Sequence, residues 1–370
     1  MEKILYLISS IKNDGPNKVL KSLVDGTIKE KYQIILLSFL NTNDELCVNY
    51  YRNLNIRVIN LNYNNKRKII TDGVKEIKKI CVDEDIDIIH SHGILPDIAS
   101  IKCKTNKKIA KITTIHNNMF EDYIYTFGRL KGSFFIRWHL YYLKQMNCCV
   151  CCSKYVFDSM KNSLKNIVAI QNSIYDKTTI YDYEEKRKNI RKKYNIQNNS
   201  IVYVYSGCLN ERKNVKQLVL QMNKYMGSNE YLFVLGTGSL LNELKNNNTN
   251  ANIIFCGFVN NVLDYYCASD VYVSFSKSEG FSISILEALE YNNLLLVSNI
   301  PSHSEIFDVD KEIYIGEVFS NDTFNEKKQK VMQHIINKGY NPKLLLQKHL
   351  NIFELSKQYI NIYEYYDKQM

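Results

Sequence analysis

Apolar residues in this chain come in short unbroken runs, set apart by polar stretches with helical spacing. In the first half the runs are "KILYLIS", "YQIILLSFL", "IRVINLN", "IDIIHSHG", "KITTIHN" and "NCCVCC". Continuous Ile, Leu and Val suit parallel strands covered on both faces. Between two of them, "TDGVKEIKKICVDED" reads as a helix, and Pro16 is placed to open another after the first run. The same rhythm restarts near residue 200. "SIVYVYSG", "EYLFVLGTG", "ANIIFCG", "VYVSFS" and "NLLLVSN" read as strands, and "NVKQLVLQMNKY" and "SLLNELKNN" as helices. The highly charged "YEEKRKNIRKKYNI" reads as a solvated helix leading into the second series. Two successive βα series predict an α/β protein of two doubly wound, Rossmann-like domains. Ligands of such sheets bind at the carboxyl ends of the strands, so a cleft between the domains is the expected site.

A length of 370 residues accommodates two such domains, and 45% hydrophobic with 23% charged residues is an ordinary globular balance. No secretory leader and no run of ~20 apolar residues is visible, which predicts a cytoplasmic protein. Four of the ten cysteines crowd into "NCCVCCSK". A zinc site needs wider spacing and a second pair, so these read as small hydrophobes of a buried strand. The charge is uneven. Residues 1–172 hold 26 Lys and Arg against 16 Asp and Glu, whereas 173–370 hold 22 of each, so the whole +10 excess lies in the first half. That asymmetry points to an anionic partner: a phosphorylated ligand, a membrane or nucleic acid.

The most informative stretch is "SEGFSISILEALE", residues 278–290. It follows a strand that ends near Ser276, and a helix is expected to begin between Ser282 and Ser284. Gly280 lets the backbone approach a ligand, and amides near Phe281 and Ser282 at a helix start suit phosphate or sugar oxygens. Spacing alone leaves a second reading open, since Ser284-x-x-Glu287 is also the pattern of a capping box.

The stretch resembles the signature of the retaining family 4 glycosyltransferases, of the GT-B fold: a Glu, seven residues and a second Glu, with Gly-Phe after the first. "YSGCLNERKNV", "VLGTGSLLNELK" and "IIFCGFVNNVLDYYCASDVYVSFS" are similar to successive parts of that family's donor domain. "DIIHSHG", "TIHN" and "IQNSIYD" resemble landmarks of its acceptor domain and hinge. The resemblance implies two Rossmann-like domains facing a central cleft. Residues 1–172 would bind the acceptor, with a last helix at about 353–370 packing back on them. Residues 173–352 would bind the nucleotide-sugar donor. It further implies that Glu287 accepts from ribose hydroxyls and Glu279 from hydroxyls of the donor sugar. Lys213, helped by Arg212, would neutralise the leaving diphosphate, and the backbone around Gly280, Phe281 and Ser282 would hold sugar or diphosphate. Gly15 would approach the diphosphate and His116 the reacting sugar. The catalytic set is then His116, Glu279 and Lys213. A UDP- or GDP-sugar is the implied donor, a glycan, lipid-linked in particular, the acceptor, and neither cofactor nor metal is implied.

Departures from the family pattern bear on activity. Cys208 stands where the family carries Arg, Ser173 replaces a hinge Gly, and Asn292 and Leu294 replace Gly and Pro. Asn tolerates left-handed backbone, so Asn292 can keep its turn. Cys208 keeps open an inactive, nucleotide-sugar-binding partner of another glycosyltransferase. The basic first half keeps open a nucleic-acid-binding protein, although no recognised module for one is present. Asp85-Ile86-Asp87 reads as a strand start rather than a metal motif, His90, His92 and His116 as polar strand ends, and "GTG" as a weak dinucleotide hint. "FGRLKGSFFIRWHLYYLKQMN" mixes aromatic and basic residues. It is either a core helix with a solvated basic face or a surface for anionic lipid on the cytoplasmic face of a membrane. Arg129, Lys131 and Arg137 lie within it, and Lys102, Lys104, Lys107, Lys108 and Lys111 cluster before it.

Overall fold

A computed structural model describes residues 1–42, 44–174 and 180–369. The chain divides into two units, Met1–Tyr175 with Asn351–Met370, and Asp176–Leu350. Of the hinge stretch read from the sequence, Tyr175 and Asp176 lie outside the described residues.

The first unit is built on a seven-stranded sheet. Its strands are β1 (Lys3–Ile8), β2 (Gln33–Leu40), β3 (Arg57–Tyr63), β4 (Ile88–His92), β5 (Ala110–Ile115), β6 (Cys148–Cys151) and β7 (Ile167–Ala169). They are parallel, in the order β3-β2-β1-β4-β5-β6-β7. The apolar runs of β1, β2, β4, β5 and β6 are buried as their lack of alternation demands, the run of β3 at the sheet edge only partly so, and the cysteines of β6 lie in the core as free thiols. The helix Ile352–Asp367 packs on this sheet through polar contacts. Tyr363 Oη lies 2.9 Å from Tyr6 Oη and 2.7 Å from His90 Nδ1, and Thr114 Oγ1 bridges His90 Nε2 and Tyr359 Oη at 2.9 Å each. A Cβ on Gly26 would collide with the Ser356 side chain, so a glycine is what lets the helix approach there. A second buried set centres on Asp97, which accepts from Ser91 Oγ at 2.6 Å and Thr113 Oγ1 at 2.7 Å and lies 2.8 Å from His139 Nε2. His139 anchors the aromatic helix Arg129–Leu143, whose buried stripe is Gly132, Ile136, His139 and Leu143.

The second unit repeats the plan with β8 (Ile201–Ser206), β9 (Glu230–Leu235), β10 (Ile253–Gly257), β11 (Val271–Ser274), β12 (Leu294–Ser298) and β13 (Gly316–Phe319). They form a parallel six-stranded sheet in the order β10-β9-β8-β11-β12-β13. In both sheets the strand order reverses beside the unit's first strand, at β1/β4 and at β8/β11. Those are the switch points where doubly wound sheets bind ligands. Two short strands, β7 and β13, were not apparent in the hydrophobic pattern. Asn292 does take left-handed backbone, with φ 58°.

One sequence expectation is corrected. The helix Ile180–Lys193 is not a merely solvated one. Arg187 and Arg191, four residues apart, share a face and reach Asp270 at the start of β11, at 2.7 and 2.9 Å. Arg191 is 2% exposed and also donates to the carbonyls of Gln197, Ser200 and Ala268 at 2.9–3.1 Å. Asp270 further accepts from the Val202 amide at 2.8 Å. A buried charge survives only when paired and fully hydrogen-bonded, and here both conditions hold. Arg191→Met should therefore destabilise the second unit by about 3–5 kcal/mol in denaturant unfolding. A loss under about 1 kcal/mol would show that the clamp is not structural.

Candidate functional site

The residues singled out in the second unit stand at the carboxyl ends of β8 and β11. After β8 the chain turns through Gly207 and Cys208 to Arg212 and Lys213, then enters the helix Val215–Tyr225 through left-handed Asn214. After β11 it runs through Ser276 and Glu279 to the helix Ile283–Glu290. Arg212 joins the two loops. Its carbonyl accepts from the Lys277 amide at 2.9 Å, and its guanidinium donates to the Ser278 carbonyl at 2.8 Å and approaches Glu279 Oε2 at 3.5 Å. Lys213 pairs with Glu279 Oε1, which also accepts from Ser276 Oγ at 2.7 Å. "GTG" is explained by packing, because a Cβ on Gly236 or Gly238 would run into the backbone of Gly207 or Leu209.

Glu279 is 6% exposed. Burial alone would raise its pKa, but Lys213 and then Arg212 more than offset that and hold the carboxyl at about 2. The site thus contains a carboxylate that is ionised at neutral pH and paired with two cations. Gly280, Phe281 and Ser282 form the turn into the helix, and all three are buried. Ser282, not Ser284, is the N-cap, and its side chain makes no cap bond. The capping-box reading is thereby overturned. Ser284 Oγ instead donates to the Ser206 carbonyl at 3.3 Å, and Glu287 lies inside the helix, accepting from Tyr266 Oη at 3.4 Å. Tyr266 Oη is in turn 2.5 Å from Ser206 Oγ, tying Glu287 to the end of β8. Cys208 is exposed, and its carbonyl accepts from Tyr205 Oη at 3.0 Å.

Gly15 and His116 belong to the first unit, at the carboxyl ends of β1 and β5. Gly15 opens a helix capped by Asp14, and a Cβ there would meet no neighbour within 4 Å. His116 Nε2 lies 2.9 Å from His92 Nδ1, and His92 stacks between His116 and His90. Burial lowers the pKa of all three, to about 4 for His116 and about 3 for His90, so the stack is neutral at pH 7. His90 spends both ring nitrogens on Tyr363 and Thr114. Among the described residues no three His, Cys, Asp or Glu side chains are grouped to hold a metal ion. Asp85 and Asp87 are tied to Lys107 Nζ at 2.9 and 2.7 Å. Lys111 donates to the carbonyls of Ser100 and Cys103 at 2.7 and 2.6 Å. Two of the clustered lysines thus serve the fold.

The sequence reading missed several groups beside Glu279. Ser298 Oγ, at the end of β12, donates to the Ser276 carbonyl at 2.6 Å, and the Ser298 carbonyl lies 2.9 Å from His303 Nδ1. His303 is 1% exposed, in the first turns of the helix Pro301–Phe307. "SNIPSHSE" did carry a signal, a Pro opening a helix directly after an apolar run, which marks a strand's carboxyl end.

Comparison with known proteins follows the same division. Residues 13–176 match the family model of Glycosyltransferase Family 4, and residues 186–337 that of Glycosyl transferases group 1. An O-antigen biosynthesis glycosyltransferase, WclY of Escherichia coli, is 28% identical over 316 residues, 83% of this chain and 82% of that protein. The fold is shared by solved structures, among them Anabaena HepE and a sucrose-phosphate synthase. Anabaena HepE, in complex with UDP and glucose, matches with a TM-score of 0.78 at 14% identity, over 98% of this chain and 99% of that one. Sucrose-phosphate synthase from Thermosynechococcus elongatus matches with a TM-score of 0.79 at 15% identity, over 100% of each. The two sheets thus have the GT-B arrangement, and each unit matches a glycosyltransferase family model.

Because the folded-state pKa of Glu279 lies below its ordinary 4.5, its ion pairs stabilise the protein fully above pH ~4.5 and lose that effect as pH falls toward ~2. The stability advantage of the wild type over Glu279→Gln should be constant from pH 7 to 5. Below ~4.5 it should shrink by about 1.4 kcal/mol per pH unit. Thermal or urea unfolding across pH 7 to 3 checks this, and a difference independent of pH would contradict the paired carboxylate.

Proposed function

We propose that this chain of the GT-B fold, similar to Glycosyltransferase Family 4 in its first unit and to Glycosyl transferases group 1 in its second, is a glycosyltransferase that moves a sugar from a UDP- or GDP-sugar to a glycan acceptor, with retention of anomeric configuration and without a metal ion. The observation that carries this reading is the buried Glu279 carboxylate paired with Lys213 and Arg212 at the β8/β11 switch point. Two cations fixed in a half-buried site stabilise the negative charge that develops on a departing diphosphate better than mobile ones in water would. The ionised Glu279 keeps both cations in place before the diphosphate arrives, and its remaining lone pairs accept from hydroxyls of the donor sugar. Glu287 accepts from the ribose hydroxyls, and the turn at Gly280, Phe281 and Ser282 supplies amides to sugar or diphosphate. In the first unit, Gly15 and His116 are the candidates for substrate contact, His116 with the transferred sugar.

The likeness to an O-antigen glycosyltransferase supports a polysaccharide or glycoconjugate product and a lipid-linked acceptor. The aromatic helix Arg129–Leu143 and the segment before it support docking to an anionic membrane. Leu130 is 91% exposed, Phe134 63% and Tyr141 64%, and the exposed Arg129, Lys131, Arg137 and Lys144 accompany them. An apolar surface rimmed by cations suits the boundary between anionic headgroups and acyl chains. Such docking would place the protein on the cytoplasmic face. Exposed Cys208, in place of the family Arg, favours a second reading, an inactive binding partner, and turnover separates the two.

A thermal-shift panel of UDP, GDP and their sugar conjugates should identify the donor. A ligand at a hundred times its Kd stabilises by about 2.7 kcal/mol. With that donor, Lys213→Ala should lower turnover at least ~10²-fold, and full activity of the Arg212→Ala, Lys213→Ala double variant would refute the diphosphate assignment. Cosedimentation should show binding to anionic but not neutral vesicles, weakened by salt and by replacing Arg129, Lys131 and Arg137. Each basic residue near an anionic leaflet contributes about 1 kcal/mol. Equal binding to both lipids at low salt would rule the surface out.

A further inference from the structure

His303 has a tautomer that the surrounding atoms determine. A carbonyl can only accept, so the 2.9 Å contact with the Ser298 carbonyl requires the proton on Nδ1. Nε2, on the far side of the ring, is left with a lone pair. Burial holds the ring's pKa at about 4, the Glu279 carboxylate pulling it up and Lys213 pushing it down, so the ring is neutral at pH 7. Nε2 is therefore an acceptor, buried and without a hydrogen-bond partner among the described residues. Buried polar groups left unpaired are uncommon and costly, and one beside a binding site has a natural partner in the ligand.

The position of the ring is set by a continuous chain of hydrogen bonds. His303 Nδ1 meets the Ser298 carbonyl, Ser298 Oγ donates to the Ser276 carbonyl, and Ser276 Oγ donates to Glu279 Oε1. The ends of β11 and β12 thus hold His303 and Glu279 in one network. We propose that His303 is a further donor-binding residue, its Nε2 accepting a hydrogen bond from a hydroxyl of the transferred sugar. The inference rests on the reading of Glu279 and Lys213 as the donor site. It extends that site from one acceptor for the sugar, Glu279, to two on neighbouring strand ends. A neutral acceptor beside a carboxylate selects a hydroxyl-bearing face of the sugar and leaves the diphosphate to Lys213 and Arg212.

The test separates sugar from diphosphate. UDP, GDP and their glucose, galactose and mannose conjugates are titrated calorimetrically into the full chain, and the conjugate bound most tightly is carried forward. His303→Leu should leave the Kd for the free diphosphate within about twofold and weaken the conjugate on the order of five- to tenfold, the effect of one lost neutral hydrogen bond. His303→Gln, whose amide oxygen is again an acceptor, should recover part of that loss. Unchanged binding of diphosphate also shows that each variant is folded. Equal loss for diphosphate and conjugate, or no loss for either, would overturn the assignment of His303 while leaving the donor site standing. Wild-type protein that binds neither diphosphate nor conjugate would overturn both.

Discussion

A buried carboxylate with two cations on it is the constraint around which the second unit's site is organised. Glu279 lies 66 residues from Lys213 and 67 from Arg212 in sequence, and their pairing brings the loop after β8 against the loop after β11. Desolvating that carboxyl without partners would be prohibitive, so either it is protonated or the cations come to it. The ion pairs with Lys213 and Arg212 show that the second arrangement prevails, and they hold the carboxyl's pKa at about 2. The same contacts leave Lys213 and Arg212 aligned and half-buried, with a charge to hold them there. A diphosphate entering such a place meets cations that need little reorganisation, which is the condition for strong electrostatic stabilisation.

Elsewhere the chain uses buried polar groups to dock helices. In the first unit, Tyr359 and Tyr363 seat the last helix on Thr114, Tyr6 and His90, and His139 seats the aromatic helix on Asp97. In the second, Arg187 and Arg191 seat a helix on Asp270. Each set is satisfied by partners from other elements, so each specifies one geometry, where apolar packing alone would tolerate several. The aromatic helix shows the consequence. Held from below by His139, Gly132 and Ile136, it keeps Leu130, Phe134 and Tyr141 exposed with basic neighbours.

Much of this was legible from residues alone, for physical reasons. β1, β2, β8 and β12 are buried on both faces, so each is an unbroken apolar run too short for a helix and bounded by polar residues. β7 and β13 escaped because "IVA" and "GEVF" are short and only partly buried, at the edges of their sheets. The inward face of the Ile180–Lys193 helix escaped because Asp270 is about eighty residues away and a charged pattern looks the same whether it meets water or a buried carboxylate. The Glu279–Glu287 pattern was visible, but spacing alone left the capping box open, and only the position of Ser282 as N-cap removes it. His303 was invisible because its meaning lies in the contact with Ser298 and the lone pair that contact leaves. No local sequence pattern encodes either.

The central claim is that the Glu279, Lys213 and Arg212 cluster with Glu287 is the seat of the donor nucleotide. Its most direct test is the crystal structure of the protein with UDP bound. The account predicts diphosphate density against Lys213 and Arg212 and ribose hydroxyls on Glu287. A nucleotide seated elsewhere, with the Lys213–Glu279 pair untouched, would contradict it.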